Sequence, residues 1–491
     1  MRLLLPLAVL GVVLAGCVSQ PSPGPGPGGP GPSAATWTQV CAISNWADAC
    51  TARASPNESP SKTEIDLMVN PTDPLNVIVG SKDLDRTASN CVWAVPQATT
   101  DGGRTWTSVI IGGPRDARMA DPTNPLFGWE CITDPIMIFD AQGTAYYALQ
   151  AYTIGSGGPN CPTDGVLPLP PLPVPVGAPV GCGSSFYLAT STDKGMTWPN
   201  DRIELMALGD GGVVFHDYPR MVFNAASGSV STVWNAIGPA AVNPWVVTTR
   251  DGGASTDAPV IVQDPDRPTG TVFASGFAAA KDGTIYMTTG SGAGPNQTHV
   301  RLAISTDDAR TFGEFREMLD VTDIDCPLPN TEFRCGTSIE LAADTSEGPR
   351  AGRLYAVWDD GRNGNADIYC AWSDDATTWS EPVRVNQDTG TTAQWMARPV
   401  VGADGALHVL YMDRSYAPGD KLYDATHAWS TDGGLTWQTQ RLTRVSSDGD
   451  LGVHQGGFPF IGDYVGVGIV GDHLYAGFPE TVTGVAEIAV A

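Results

Sequence analysis

The chain has 491 residues, 27 basic against 53 acidic, and a formal net charge of −26. That balance excludes nucleic acid and anionic membrane surfaces as electrostatic partners, because both demand a basic patch. With Gly 57, Pro 40, Trp 14 and only 16% charged residues, the composition predicts many short strands joined by turns, in two or three domains or in one large closed repeat.

At the N-terminus, Met1-Arg2, an apolar run over 3–14 and the tetrapeptide LAGC ending at Cys17 read as a lipoprotein signal peptide over 1–16. The apolar run is too short to span a bilayer. Diacylglycerol on Cys17 would tether the protein outside the cytoplasmic membrane, each buried methylene contributing about 0.8 kcal/mol. The alternative is an ordinary signal peptide in which the cysteine is coincidental. Residues 17–33, rich in Pro, Gly and Ser, make a flexible or polyproline-like tether. The folded domain is expected over 34–491, extracytoplasmic, as a monomer. Nine cysteines remain after Cys17. Outside the cell, close spacing favours Cys41–Cys50, Cys91–Cys131, Cys161–Cys182 and Cys326–Cys335. Cys370 is left over and reads as a small core residue.

One pattern recurs six times: TTDGGRTW at 99–106, STDKGMTW at 191–198, TTRDGGAS at 248–255, STDDARTF at 305–312, SDDATTW at 373–379 and STDGGLTW at 430–437. Each copy is a hairpin turn with its own fasteners. The Asp and Ser/Thr side chains bond the turn backbone, Gly supplies a positive φ, and the aromatic ring fills an apolar seam. This is the Asp-box pattern, and the chain resembles the sialidase-like β-propellers that carry such repeats. The resemblance implies an all-β ring with the boxes on the rim away from the active face. No chemistry is assigned to Asp101, Asp193, Asp307, Asp375 or Asp432.

Between boxes, seven apolar hairpins recur, starting near Asp66, Pro135, Arg220, Phe273, Ser338, Pro399 and Tyr464. A hairpin plus a box makes a four-stranded blade. Six blades are complete in this way, and the last lacks an outer strand. Residues 36–40 resemble 105–109 and are expected to pair with 486–490, closing the ring at seven blades, with six as the alternative. Successive boxes lie 58, 56, 68 and 57 residues apart after Asp193, but 92 separate Asp101 from Asp193. The proline-rich insertion 155–183 accounts for part of the excess, as a pocket wall or a variable surface loop.

Loops entering first strands and leaving second strands hold most of the informative polar residues. Sialidases clamp a sugar carboxylate with arginines and use an Asp acid/base and a Tyr nucleophile. By resemblance, Arg220, Arg362, Arg398 and Arg414 are the clamp candidates, Asp134 or Asp217 the acid/base and Tyr464 the nucleophile. The competing reading makes these charges salt bridges that pin neighbouring blades. The segment DDGRNGNAD at 359–367 alternates oxygen donors that would suit Ca²⁺, and a plain polar turn explains it equally well. Two functions follow from the resemblance: a cell-surface exo-glycoside hydrolase acting on sialic acid or a related acidic sugar, or a non-catalytic propeller that binds glycan or protein.

Overall fold

The computed structural model describes residues 34–36, 52–53, 62–83, 93–114, 118, 120–129, 131–152, 184–207, 214–238, 241–266, 270–294, 296–417, 419, 421–455, 458–484 and 486–491. Seven antiparallel sheets, each built on four strands, follow one another along the chain in a β-propeller ring. Blade I runs outwards from the axis as Lys62–Asn70, Asp73–Asp83, Gln97–Thr99 and Thr105–Ser108. The first strands of blades II to VII are Cys131–Phe139, Phe215–Asn224, Phe273–Ala279, Ile339–Ala343, Gln394–Val401 and Gly466–Val470. Each packs beside the next, and that of blade VII packs on that of blade I, so the ring is closed at seven.

Strand alternation explains the apolar composition. In blade I, Leu67 and Val69 pack in the seam with blade VII, whereas Met68 and Ile78 pack in the seam with blade II. Both faces of a blade are therefore core, and successive side chains serve opposite seams. The seam between VII and I is close enough to demand glycine. A Cβ on Gly466 would lie 2.1 Å from the Leu67 nitrogen.

Closure differs from the expected pairing. Ala34–Thr36 lies on the outer edge of blade I, with Ala35 opposite Trp106. The free edge of blade VII is taken instead by Ala52–Arg53, paired with Val490 and Ala489. Residues 37–40 lie outside the described residues. The chain then enters blade I at once, where the Lys62 amide donates to the Ala486 carbonyl at 2.8 Å. Starting the protein at residue 57 rather than 34 removes both outer strands, Ala34–Thr36 and Ala52–Arg53. The expected result is a lower Tm in calorimetry, at about 0.5–1.5 kcal/mol per ladder hydrogen bond lost, and aggregation through the bared edge.

The boxes form as expected. At the first, Thr99 Oγ1 donates to Asp101 Oδ1 at 2.8 Å and accepts from the Gly103 amide at 3.0 Å, while Asp101 Oδ2 accepts from Thr105 Oγ1 at 2.7 Å. The same hydroxyl-to-carboxylate bond recurs at Asp193, Asp251, Asp307, Asp375 and Asp432. Ala309 and Ala376 hold the positive φ usually left to glycine. Each turn docks on the first hairpin turn of the preceding blade: Lys194 pairs with Asp73 at 2.7 Å, and Arg350 donates to the Thr431 carbonyl at 2.6 Å. All box carboxylates are consumed in holding turns.

Blade VI carries a buried histidine pair. His408 Nδ1 lies 3.0 Å from His427 Nε2, with rings stacked and Trp429 stacked beyond. Burial pushes His408 down to about 4 and His427 to about 3. Both stay neutral in the fold, whereas the unfolded chain takes up protons below about 6.5. Stability is therefore expected to fall as pH drops from about 6.5 towards 4, by on the order of 3 kcal/mol for His408 alone. Urea midpoints of the wild type and His427→Phe across that range check this, the variant showing the shallower loss.

Candidate functional site

The end of the ring opposite the boxes gathers polar residues because the first strands bulge there. Register shifts fall between Thr63 and Asp66, Thr133 and Ile136, Asp217 and Arg220, and Trp395 and Arg398. At equivalent places Glu64, Asp134, Tyr218 and Met396 adopt φ of 51°, 51°, 58° and 59°. Non-glycine residues held in this region cost about 1–3 kcal/mol each and concentrate at functional sites. The bulge turns acidic and aromatic side chains towards the axis.

Five of the seven candidates from the sequence meet here. Arg220 donates from Nε to Glu340 at 3.1 Å and from Nη1 to the Pro219 carbonyl at 2.8 Å, and Arg398 donates to the other Glu340 oxygen at 2.8 Å. The Arg220 guanidinium stacks 4.0 Å from the Tyr218 ring and 5.1 Å from the Tyr464 ring. Tyr464 is buried and donates to the Pro135 carbonyl at 3.0 Å. Burial holds its phenol well above 10, helped by the Glu64 and Asp134 charges, so it is neutral.

Asp134 and Asp217 share a hydrogen bond and are pushed in opposite directions. Burial, the largest influence, raises both, but at Asp134 it is overcome by Lys82, 3.6 Å away, together with hydrogen bonds from Asp217, Glu64 and Thr133, which leave Asp134 below its usual value. Asp217 is raised well above its own by burial and by the Asp134 charge. The proton between them sits on Asp217, and Glu64, raised well above its usual value chiefly by burial, hydrogen-bonds to the Asp134 carboxylate from the other side. Lys82 also pairs with Glu64 at 3.2 Å. Asp66 accepts from the Met137 amide at 2.7 Å, and burial lifts it to about 6.

Arg362 and Arg414 fall outside this cluster. Arg362 pairs with Asp360 at 2.6 Å and stacks 4.7 Å from the Tyr369 ring. Arg414 is buried and donates to the Pro329 carbonyl at 2.9 Å. The 359–367 segment spends its carboxylates on protein donors: Asp359 on the Ser338 and Met396 amides, and Asp367 on Asn386. Among the described residues no group of three acids, histidines or cysteines could hold a metal ion. Insertion 155–183 and the expected bridges Cys41–Cys50 and Cys161–Cys182 lie outside the described residues, as does Cys91, the expected partner of disulfide-bonded Cys131. Cys370 is free and buried, as a core residue should be.

Sequence reasoning passed over a strap. Between Glu314–Thr322, the outer strand of blade IV, and the first strand of blade V, the Cys326–Cys335 disulfide clips a loop that crosses to blade VII. Phe333 is fully buried against Trp395 and Tyr423, and Asp450 accepts from the Glu332 amide at 2.7 Å. Next to the disulfide, Arg334 bonds the Pro459 carbonyl through its amide, stacks 4.2 Å from Phe460 and pairs with Asp463 at 2.5 Å. Replacing both cysteines by serine removes about 2–3 kcal/mol of loop constraint. Paired Tm measurements on the wild type and the double variant check this.

No protein-family model matches the chain, and neither does any curated protein. Among solved structures it is similar to a Hadza microbial sialidase (12% identity, TM-score 0.46, 93% of this chain and 98% of that one). It is also similar to the NanB sialidase of Streptococcus pneumoniae (12%, 0.42, 87% and 67%) and an α-L-arabinanase of Penicillium chrysogenum (16%, 0.38, 56% and 93%). At these values the likenesses say nothing of chemistry, which has to come from the hub itself.

Proposed function

We propose that the hub is the active site of a glycoside hydrolase, held outside the cell by the lipid on Cys17. The observation that carries this is the meeting of Asp134, Asp217, Arg220, Arg398 and Tyr464, from blades II, III, VI and VII, around one shared proton. Two carboxyls in hydrogen-bond contact are too close to flank a glycosidic bond from both sides, which needs roughly 5–9.5 Å. They act as one acid/base unit. Asp217 gives its proton to the leaving oxygen as the glycosidic bond breaks, and the proton departs with the leaving group. Tyr464 is the nucleophile, a neutral phenol that gives up its bond to Pro135 and passes its proton to the Asp134 carboxylate as it attacks the anomeric carbon; water then releases the sugar from Tyr464, its proton going to Asp217 while Asp134 returns the phenolic proton. An acidic sugar would use Arg398, the more exposed partner of Glu340, since Arg220 is bonded within the protein.

A second reading is favoured by one feature: the hub cations are already paired with carboxylates, as in a glycan-binding propeller without turnover. Protein spanning 34–491, incubated with fluorogenic glycosides that include a sialoside, separates the two. Fluorophore release that disappears in Asp217→Asn supports the hydrolase, and saturable glycan binding without release supports the binder.

A further inference from the structure

Resting on the glycosidase reading, we infer that the hub takes a neutral, hydroxyl-rich sugar and discriminates against a carboxylated one. The cluster contains the carboxyls Glu64, Asp66, Asp134, Asp217, Glu340 and Asp463, against the cations Lys82, Arg220, Arg334 and Arg398. Every one of these cations already has an ion pair: Lys82 with Glu64 and Asp134, Arg220 and Arg398 with Glu340, and Arg334 with Asp463. Asp66 and Asp217 have no ion pair of their own among the described residues. Burial holds Asp217 and Glu64 protonated while Asp66, lifted only to about 6, is ionised near neutral pH, so the carboxylates of Asp66, Asp134, Glu340 and Asp463 balance the four cations with no surplus positive charge, and the chain around the cluster carries −26.

A sugar carboxylate held by these arginines would add a negative charge beside Glu340 or Asp463 with no unpaired cation to neutralise it, in a poorly solvated place. A hydroxyl group adds no charge. A guanidinium has five donors, and the bond to Glu340 takes one from Arg398, whose side chain is 14% exposed. That of Arg334 is 35% exposed. Both can donate to sugar oxygens while remaining in their ion pairs. Asp66, which feels the Arg398 and Arg220 charges, and the neighbouring Tyr147 each leave a buried oxygen, Asp66 Oδ1 and the Tyr147 hydroxyl, without a hydrogen-bond partner. Groups of that kind are served by hydroxyl or water hydrogens and are repelled by a second carboxylate.

The test compares 4-methylumbelliferyl pentosides and hexosides with the corresponding sialoside and glucuronide, at low and high salt. The inference predicts kcat/KM at least 100-fold higher on a neutral glycoside, with a KM that salt leaves unchanged. Faster turnover of an acidic glycoside overturns the neutral preference and leaves the hydrolase reading standing. Turnover of none overturns the hydrolase reading. Titration calorimetry with neutral and acidic oligosaccharides then decides the preference by itself, and tighter binding of the acidic set would overturn it.

Discussion

Replacing Asp217 with asparagine is expected to lower glycoside turnover by roughly two to four orders of magnitude while the Tm stays near that of the wild type. Asparagine keeps the shape of the bulge between Asp217 and Arg220 but cannot carry a transferable proton. The pH profile sharpens the expectation. Asp217 is raised by burial and by Asp134, so the competent acid is lost as pH climbs through its elevated value, giving the alkaline limb. Asp134, lowered by Lys82 against the effect of burial, must stay ionised and gives the acid limb. The two limbs belong to the coupled pair. Asp217→Asn should abolish both together, whereas Asp432→Asn, at a box turn, should leave the profile in place. Initial rates between pH 4 and 9 on the three proteins check it.

Glu340→Gln is expected to be the most destabilising single change at the hub, by about 3–5 kcal/mol. Glu340 is 4% exposed and is the common partner of Arg220, itself 2% exposed, and Arg398. Removing its charge leaves two guanidiniums facing each other, one of them with little solvent to turn to. The converse change, Arg398→Gln, should cost much less, because Glu340 keeps Arg220 and because the partial exposure of Arg398 screens what is lost. Denaturant midpoints with unchanged m-values measure both differences.

The boxes were legible because each is a local code: hydroxyl, carboxylate, glycine and aromatic within eight residues, all bonded to one another. Blade number followed from counting hairpins. That an N-terminal strand would close the last blade was legible from its missing edge, but which one was not, since Ala52–Arg53 is two residues long and its pairing with the chain end is non-local. At the hub, Asp134, Asp217, Arg220, Arg398 and Tyr464 were found because they begin or enter first strands, which line the axis. Arg362 and Arg414 follow second strands, one strand spacing of about 4.8 Å further out, and turn to other partners, Asp360 and the Pro329 carbonyl. Glu340 was passed over although it interrupts the apolar run of its strand, and Lys82 stands likewise at the end of a buried second strand. An acid or lysine in such a strand was the available signal, since a buried charge requires a partner. Arg334 could be read only as a polar loop residue ahead of a first strand, because a loop position does not reveal which blade the loop crosses.

The most direct test is a crystal structure of Asp217→Asn with an unhydrolysed glycoside bound. The sugar is expected at the axis, its glycosidic oxygen within hydrogen-bond reach of the substituted side chain and its ring near Tyr464. A sugar seated on the box rim or on an outer blade edge, with the axis vacant, would contradict the assignment of the hub as the reaction centre.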